Sequence, residues 1–129
     1  MKYLLDTTEA VYYLRGEAGV AEDFQSRKSE GLAASIISVA ELYEGVFRSH
    51  DVDAAESAVR DFLDEVAVLG VDEGIARIFG QERARLRQEG IRMSDLDLLI
   101  AATALFHGLT LLTSDRDFAR VESLSAIFR

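Results

Sequence analysis

The chain has 129 residues, 49% of them hydrophobic, with no cysteine, no proline and a formal net charge of −9. Such a length and apolar content suit one domain with a real core and exclude a disordered polyelectrolyte, while zero cysteine excludes disulfides, thiolate nucleophiles and Cys-based zinc sites. The acidic balance argues against a general nucleic-acid-binding module, but not against an enzyme that holds a few phosphates through metal ions.

No segment nears the roughly 20 apolar residues of a membrane span, and the first apolar run is too short for a secretory signal. The expectation is a soluble, cytoplasmic protein with a single domain over residues 1–129. In chain order, "YLL" (3–5) reads as a buried strand that runs directly into Asp6, and Thr7 or Thr8 can cap a helix to about Gly16. "AGVAEDFQSRKSEG" reads as a second helix ending at Gly31. "LAASIIS" (32–38) is a short strand, followed by a helix in "VAELYEGVFRS". Val52, Ala55, Val59, Phe62, Leu63 and Val66 recur at helical spacing, and "VAVLGV" (66–71) is a third strand.

Asp72 then caps a helix carrying Ile75, Ile78, Phe79 and Leu86 on one face and closing at Gly90. Within it Arg83, Arg85 and Arg87 alternate with other residues, which spreads them around a solvated helix surface. "SDLDLLIAATALFHG" is apolar almost all round, so it is expected to be buried until Gly108 ends it. "LTLLT" is a strand, "SDRDFARV" a short helical turn and "LSAIF" an edge strand. Short apolar strands alternating with helices predict an α/β fold with a parallel sheet wrapped by helices.

Four acids fall at telling places. Asp6 and Asp115 follow strand ends, and Glu41 and Asp97 lie in the first turns of helices. In an open parallel sheet, ligands bind outside the carboxyl ends of the strands. Taken alone, Ser38-x-x-Glu41, Ser94-x-x-Asp97 and Ser114-x-x-Asp117 each resemble a capping box, and the helix dipole favours acids there. Asp6 suits capping less well. As a set the acids suit a metal site: crowded carboxylates repel one another, and Mg²⁺ or Mn²⁺ relieves the repulsion through oxygen ligands. Such a site can lower the pKa of bound water and clamp a phosphate for in-line displacement.

Other chemistries lack their parts. His50 lies in a polar loop and His107 ends a helix, which disfavours a paired-His ribonuclease, and no dinucleotide or P-loop glycine motif occurs. A receiver-like phosphoacceptor domain, also a parallel sheet with strand-end acids, would want a lysine after a late strand. The only lysines are Lys2 and Lys28.

"YLLDTT", "SVAELYEG", "DLLIAATAL" and "HGLTLLTSDRDF", taken together and in order, resemble the motifs of PIN-domain ribonucleases, specifically VapC-type toxins of toxin–antitoxin pairs. The resemblance runs from residue 2 to about residue 118. It implies a PIN-like three-layer fold with a central, mainly parallel sheet flanked by helices. By position it places the catalytic and metal-binding acids at Asp6, Glu41, Asp97 and Asp115, with Thr8, Asp95 and Asp117 just outside that set. It further implies Mg²⁺- or Mn²⁺-dependent cleavage of structured RNA such as tRNA or rRNA by metal-activated water, leaving 5′-phosphate and 3′-hydroxyl ends. A homodimer neutralised by a small cognate antitoxin is also implied.

Two positions depart from the family pattern. Thr8 stands where an asparagine is common, and Glu9 where the residue is usually apolar, either as an extra acid near the pocket or as a helix-start charge. A catalytically silent PIN module that only binds is the remaining rival. Between Asp95 and Asp97, helical rotation allows only one to face the pocket. With Ser94 as cap, Asp97 is the metal-associated acid and Asp95 mainly complements the helix dipole.

Overall fold

The computed structural model describes residues 1–129. In chain order its elements are β1 (Tyr3–Leu5), α1 (Thr7–Leu14), α2 (Val20–Arg27), β2 (Leu32–Ser35), α3 (Ile36–Phe47), α4 (Val52–Leu63), β3 (Ala67–Leu69), α5 (Glu73–Gln88), α6 (Asp95–His107), β4 (Thr110–Thr113) and β5 (Ala126–Phe128). Short 3₁₀ turns occupy Lys28–Glu30 and Arg116–Arg120. The five strands form one sheet in the order β3-β2-β1-β4-β5, and every pairing in it is parallel.

Side-chain alternation along the strands builds the three layers. Leu4 and Leu111 point into a cluster with Leu86, Leu98, Ile100, Ala101 and Phe118, under α5 and α6. Tyr3, Leu5 and Leu112 point the other way, against Ala10, Phe24, Leu42, Val46, Val59 and Phe62 from the first four helices. A strand buried on both faces has no polar face to alternate, so β1 and β4 read as continuous apolar runs. Helix α6 lies with its middle fully buried from Leu98 to Ala104, except Leu99, and packs chiefly against α5.

Local signals set most of the boundaries. Asp72 caps α5 through a hydrogen bond from the Ile75 amide, Ser94 caps α6 through the Asp97 amide, and Gly108 stops α6 in the left-handed region (φ 65°). Gly31 is required for a second reason. At φ 92° it brings the chain against Met1, where an added Cβ would lie 2.7 Å from the Met1 Cα.

Three expected boundaries are corrected. The cap of α1 is Asp6 rather than Thr7 or Thr8, its Oδ1 accepting from the Thr7 amide at 2.8 Å. The second strand ends at Ser35, not Ser38: its pairing with β1 stops at Ala34 opposite Leu5, and its pairing with β3 stops at Ser35 opposite Leu69. Ser35 then turns the chain into α3 by accepting from the Ile37 amide, so the β-branched Ile36 and Ile37 are helical despite their strand preference. The Arg116–Arg120 turn is capped by Asp115 rather than Ser114, through the Asp117 amide.

Candidate active site

In this strand order the chain winds outward from β1 to β2 and β3 on one side, and from β4 to β5 on the other. The connections leaving the carboxyl ends of β1 and β4 therefore diverge, opening a crevice between those two strands. Asp6 directly follows β1, and Asp115 follows β4 by two residues. The Asp6 amide donates to the Leu112 carbonyl at 2.9 Å, which ties the two strand ends together.

Asp6 is 3% exposed. Besides accepting from the Thr7 amide, it accepts from the Thr113 hydroxyl at 2.9 Å, and that hydroxyl in turn accepts from the Asp115 amide at 2.9 Å. Thr113 thus spans the two acids. Burial pushes the Asp6 carboxyl up to about 6, the charges of Asp97 and Asp115 add to the rise, and the two hydrogen bonds oppose it.

Asp97 occupies the third position of α6 and is half-buried. Its carboxyl is raised by burial first, then by the charges of Asp115, Glu41 and Asp117, against the opposing hydrogen bond of Ser94. Glu41 lies in the second turn of α3, not the first, because that helix begins at Ile36. Ser38 and Glu41, three residues apart on one face, both reach Thr7. The Thr7 hydroxyl donates to Glu41 Oε1 at 2.6 Å and sits 2.8 Å from Ser38 Oγ. Ser38 is therefore a helix-interior partner of Thr7 and no cap.

Asp6 thus feels the charges of Asp97 and Asp115, and Asp97 those of Asp115, Glu41 and Asp117, with no basic group among the causes. Asp95 and Asp117 are turned to basic partners. Asp95, its side chain 75% exposed, pairs with Arg83 at 2.5 Å, and Asp117 pairs with Arg120 at 3.3 Å. Thr8 is half-buried, and its neighbour Thr7 is the threonine that holds an acid.

Glu9 is a helix-start charge, standing in the first turn of α1, but a buried and paired one. It is 2% exposed, accepting from the Ser114 hydroxyl at 2.5 Å and from Arg129 Nε at 2.9 Å, while Arg129 also binds Asp23 at 3.0 Å. Sequence reasoning also missed Thr7 and Thr113. The one available signal was a hydroxyl next to each strand-end acid.

No three acid or histidine side chains converge closely enough to enclose a cation directly. The donor set still fits Mg²⁺ or Mn²⁺, since buried carboxylates with raised pKa values and no counter-cation gain most from a divalent ion. Mg²⁺ in particular keeps several waters and needs only one or two carboxylates.

In metal-free protein the sign of the Asp6 shift sets a pH dependence. Native Asp6 holds its proton to about pH 6, whereas the unfolded chain releases it near 3.8. The native state binds more protons between those values, so this contribution to stability is present below about pH 4 and lost as pH rises through 6. Denaturation in EDTA is expected to show that decline, and Asp6→Asn to flatten it. An unchanged pH profile in the variant would assign the decline elsewhere.

Residues 3–124 match the PIN domain family model. The chain is 30% identical over 125 residues to ribonuclease VapC2 of Haemophilus influenzae, covering 96% of this chain and 95% of the relative. It is 29% identical over 126 residues to the tRNA(fMet)-specific endonuclease VapC of Shigella flexneri, with the same coverage. Among solved structures, VapBC2 of Rickettsia felis bound to a promoter DNA fragment superposes with a TM-score of 0.94 at 26% identity, over 100% of this chain and 99% of that one. With its three-layer parallel fold, its ordered motifs and this family match, the chain belongs to the PIN domain family.

Proposed function

We propose that the protein is a divalent-cation-dependent endoribonuclease, the toxin of a VapC-type toxin–antitoxin pair, acting in the cytoplasm on structured RNA. The observation that carries this reading is the meeting of Asp6, Glu41, Asp97 and Asp115 at the switch-point crevice, with burial and mutual repulsion raising two of the carboxyls. Acids in that state are poised to take a cation. A Mg²⁺ or Mn²⁺ ion held there would supply charge neutralisation for the phosphate and acidity to water.

The chain's own residues do the positioning. Thr113 and the Thr7 amide hold the two Asp6 oxygens, and the Thr7 hydroxyl orients Glu41. Asp97 is fixed by its place in the first turn of α6, behind the Ser94 cap. The two hydrogen bonds on Asp6 and the Thr7 bond on Glu41 limit rearrangement as RNA binds.

The relatives named as ribonucleases, one of them specific for a tRNA, support RNA as substrate and tRNA as its class. Structural neighbours solved as VapBC assemblies support a small antitoxin as partner. A homodimer and a single PIN domain over residues 1–129 complete the proposal. A receiver-like reading has no support, since Lys2 is engaged by Glu30 at 3.2 Å and Lys28 lies in the turn before β2.

The test is cleavage of total tRNA with Mg²⁺ or Mn²⁺ and in excess EDTA, followed by end-group analysis. Metal-dependent cuts leaving 5′-phosphate and 3′-hydroxyl ends are expected. Cyclic 2′,3′-phosphate ends, or full activity in EDTA, would refute the mechanism. Absence of any cleavage would favour the silent binding module.

A metal that binds the native state alone stabilises it by RT ln(1 + [L]/Kd), about 2.7 kcal/mol at a hundredfold excess over Kd. Millimolar Mg²⁺ or Mn²⁺ is therefore expected to raise the melting temperature, and Asp6→Asn to blunt the rise. An identical rise in the variant would put the ions at another site.

A further inference from the structure

The arginines of α5 do not share one environment. Arg85 is consumed by its own surroundings, paired with Glu82 at 2.7 Å and Glu89 at 2.6 Å and donating to the Arg120 carbonyl. Arg83 and Arg87, one helical turn apart, instead line a groove of about 540 Å³ with Arg92, Arg120, Asp95 and Asp117. Four guanidinium groups against two carboxylates leave this groove at +2, in a chain whose net charge is −9. Arg87 and Arg92 are exposed and in no ion pair.

The other two arginines are held in place. Arg83 is fixed by Asp95 and lies over the Phe79 ring, and its buried Nε–H has no acceptor in the chain. Arg120 is fixed by Asp117 and by the Arg92 carbonyl. Ser94, Asp95 and Asp117 also line the groove; Ser94 accepts from the Asp97 amide at 3.1 Å, and the charge of Asp117 acts on Asp97. The groove therefore lies beside Asp97, at the edge of the site where cleavage is placed.

We propose that this arginine groove seats the phosphodiester backbone of the RNA strand on one side of the scissile bond. The proposal rests on the ribonuclease reading. Planar guanidinium forks match phosphate oxygens bidentately, and two unpaired arginines beside two braced ones make a phosphate track in an otherwise repelling surface. The acid crevice alone repels RNA; the groove supplies the local attraction that brings a strand to it.

The experiment measures binding of total tRNA to the full chain in EDTA, where no cleavage occurs, by fluorescence anisotropy across a salt series. The double variant Arg87→Gln/Arg92→Gln, which breaks no ion pair, is compared with wild type and with Arg85→Gln. Loss of two single-strand phosphate contacts is expected to lower the slope of log K against log salt by about 1.4 and to weaken binding about tenfold at low salt. Arg85→Gln is expected to bind as wild type does. Equal losses in Arg85→Gln, or no change in the groove variant, would overturn the proposal, as would wild-type protein that binds no tRNA. Poly-L-glutamate of matched charge is expected to compete poorly. Equal competition would make the groove a seat for an acidic protein segment and overturn the RNA assignment. Should the groove variant lose tRNA binding while wild type cleaves nothing with Mg²⁺ or Mn²⁺, the groove stands and the nuclease reading falls.

Discussion

Asp97→Asn is expected to abolish RNA cleavage with the fold intact, while Asp95→Asn leaves most of the activity. The two acids are separated by about 200° of helical rotation. Ser94 caps α6, so Asp95 is the first helical residue and Asp97 the third. Asp97 feels Asp115, Glu41 and Asp117 and has its carboxyl raised. Asp95 points to solvent and to Arg83. Removing the Asp97 charge strips a preorganised electrostatic group from the crevice, a loss of about 100-fold or more in kcat. It also relieves repulsion, so the metal-free variant is expected to melt no lower than wild type. Asp95→Asn removes an exposed ion pair and a favourable dipole contact, together about 1 kcal/mol of stability. Cleavage rates and melting curves on equally folded variants decide the matter. The reverse ranking would mean that Asp95 carries the chemistry.

Arg129→Ala is expected to be the most destabilising single change at the protein's surface, at about 3 kcal/mol. Glu9 is buried, and Arg129 is the only cation it touches. Removing one partner of such a pair leaves a charge in the interior without compensation, which costs about 3–5 kcal/mol when both partners are deeply buried. Arg129 is itself 37% exposed, so the lower end applies. The same principle gives the opposite result for the other partner. Glu9→Leu exchanges the buried charge for an apolar group of similar volume, expected to be near neutral, and in combination it should rescue most of the Arg129→Ala loss. Urea denaturation of the two single variants and the double variant forms the cycle. Additive losses would show that Glu9 and Arg129 are not energetically coupled. Because the Arg129 amide also donates to the Thr113 carbonyl, and Ser114 donates to Glu9, the pair braces the segment between Thr113 and Asp115.

What was legible in the sequence was what local pattern controls. The apolar runs of β1 and β4, the Asp72 and Ser94 caps, the Gly108 stop and the buried character of α6 all follow from residues within a few positions of one another. The alternation of strand and helix then restricts the fold to a parallel sheet, and placing acids just beyond strand ends brings them to one edge of that sheet. What only the tertiary structure decided was every matter of partner. The pattern of Ser35 to Ser38 allows either serine to begin α3, and the choice was made by the neighbouring strands, whose pairing ends at Ala34 on the β1 side and at Ser35 on the β3 side. Thr7 meets Glu41 across 34 residues, Thr113 meets Asp6 across 107 and Arg129 meets Glu9 across 120. Asp6 caps a helix and faces its fellow acids at once, and Arg83 and Arg85 diverge because their acids come from different elements. Periodicity tells which way a side chain points from its own element, but the charge or hydroxyl waiting there comes from another part of the chain, and only the folded packing brings the two together.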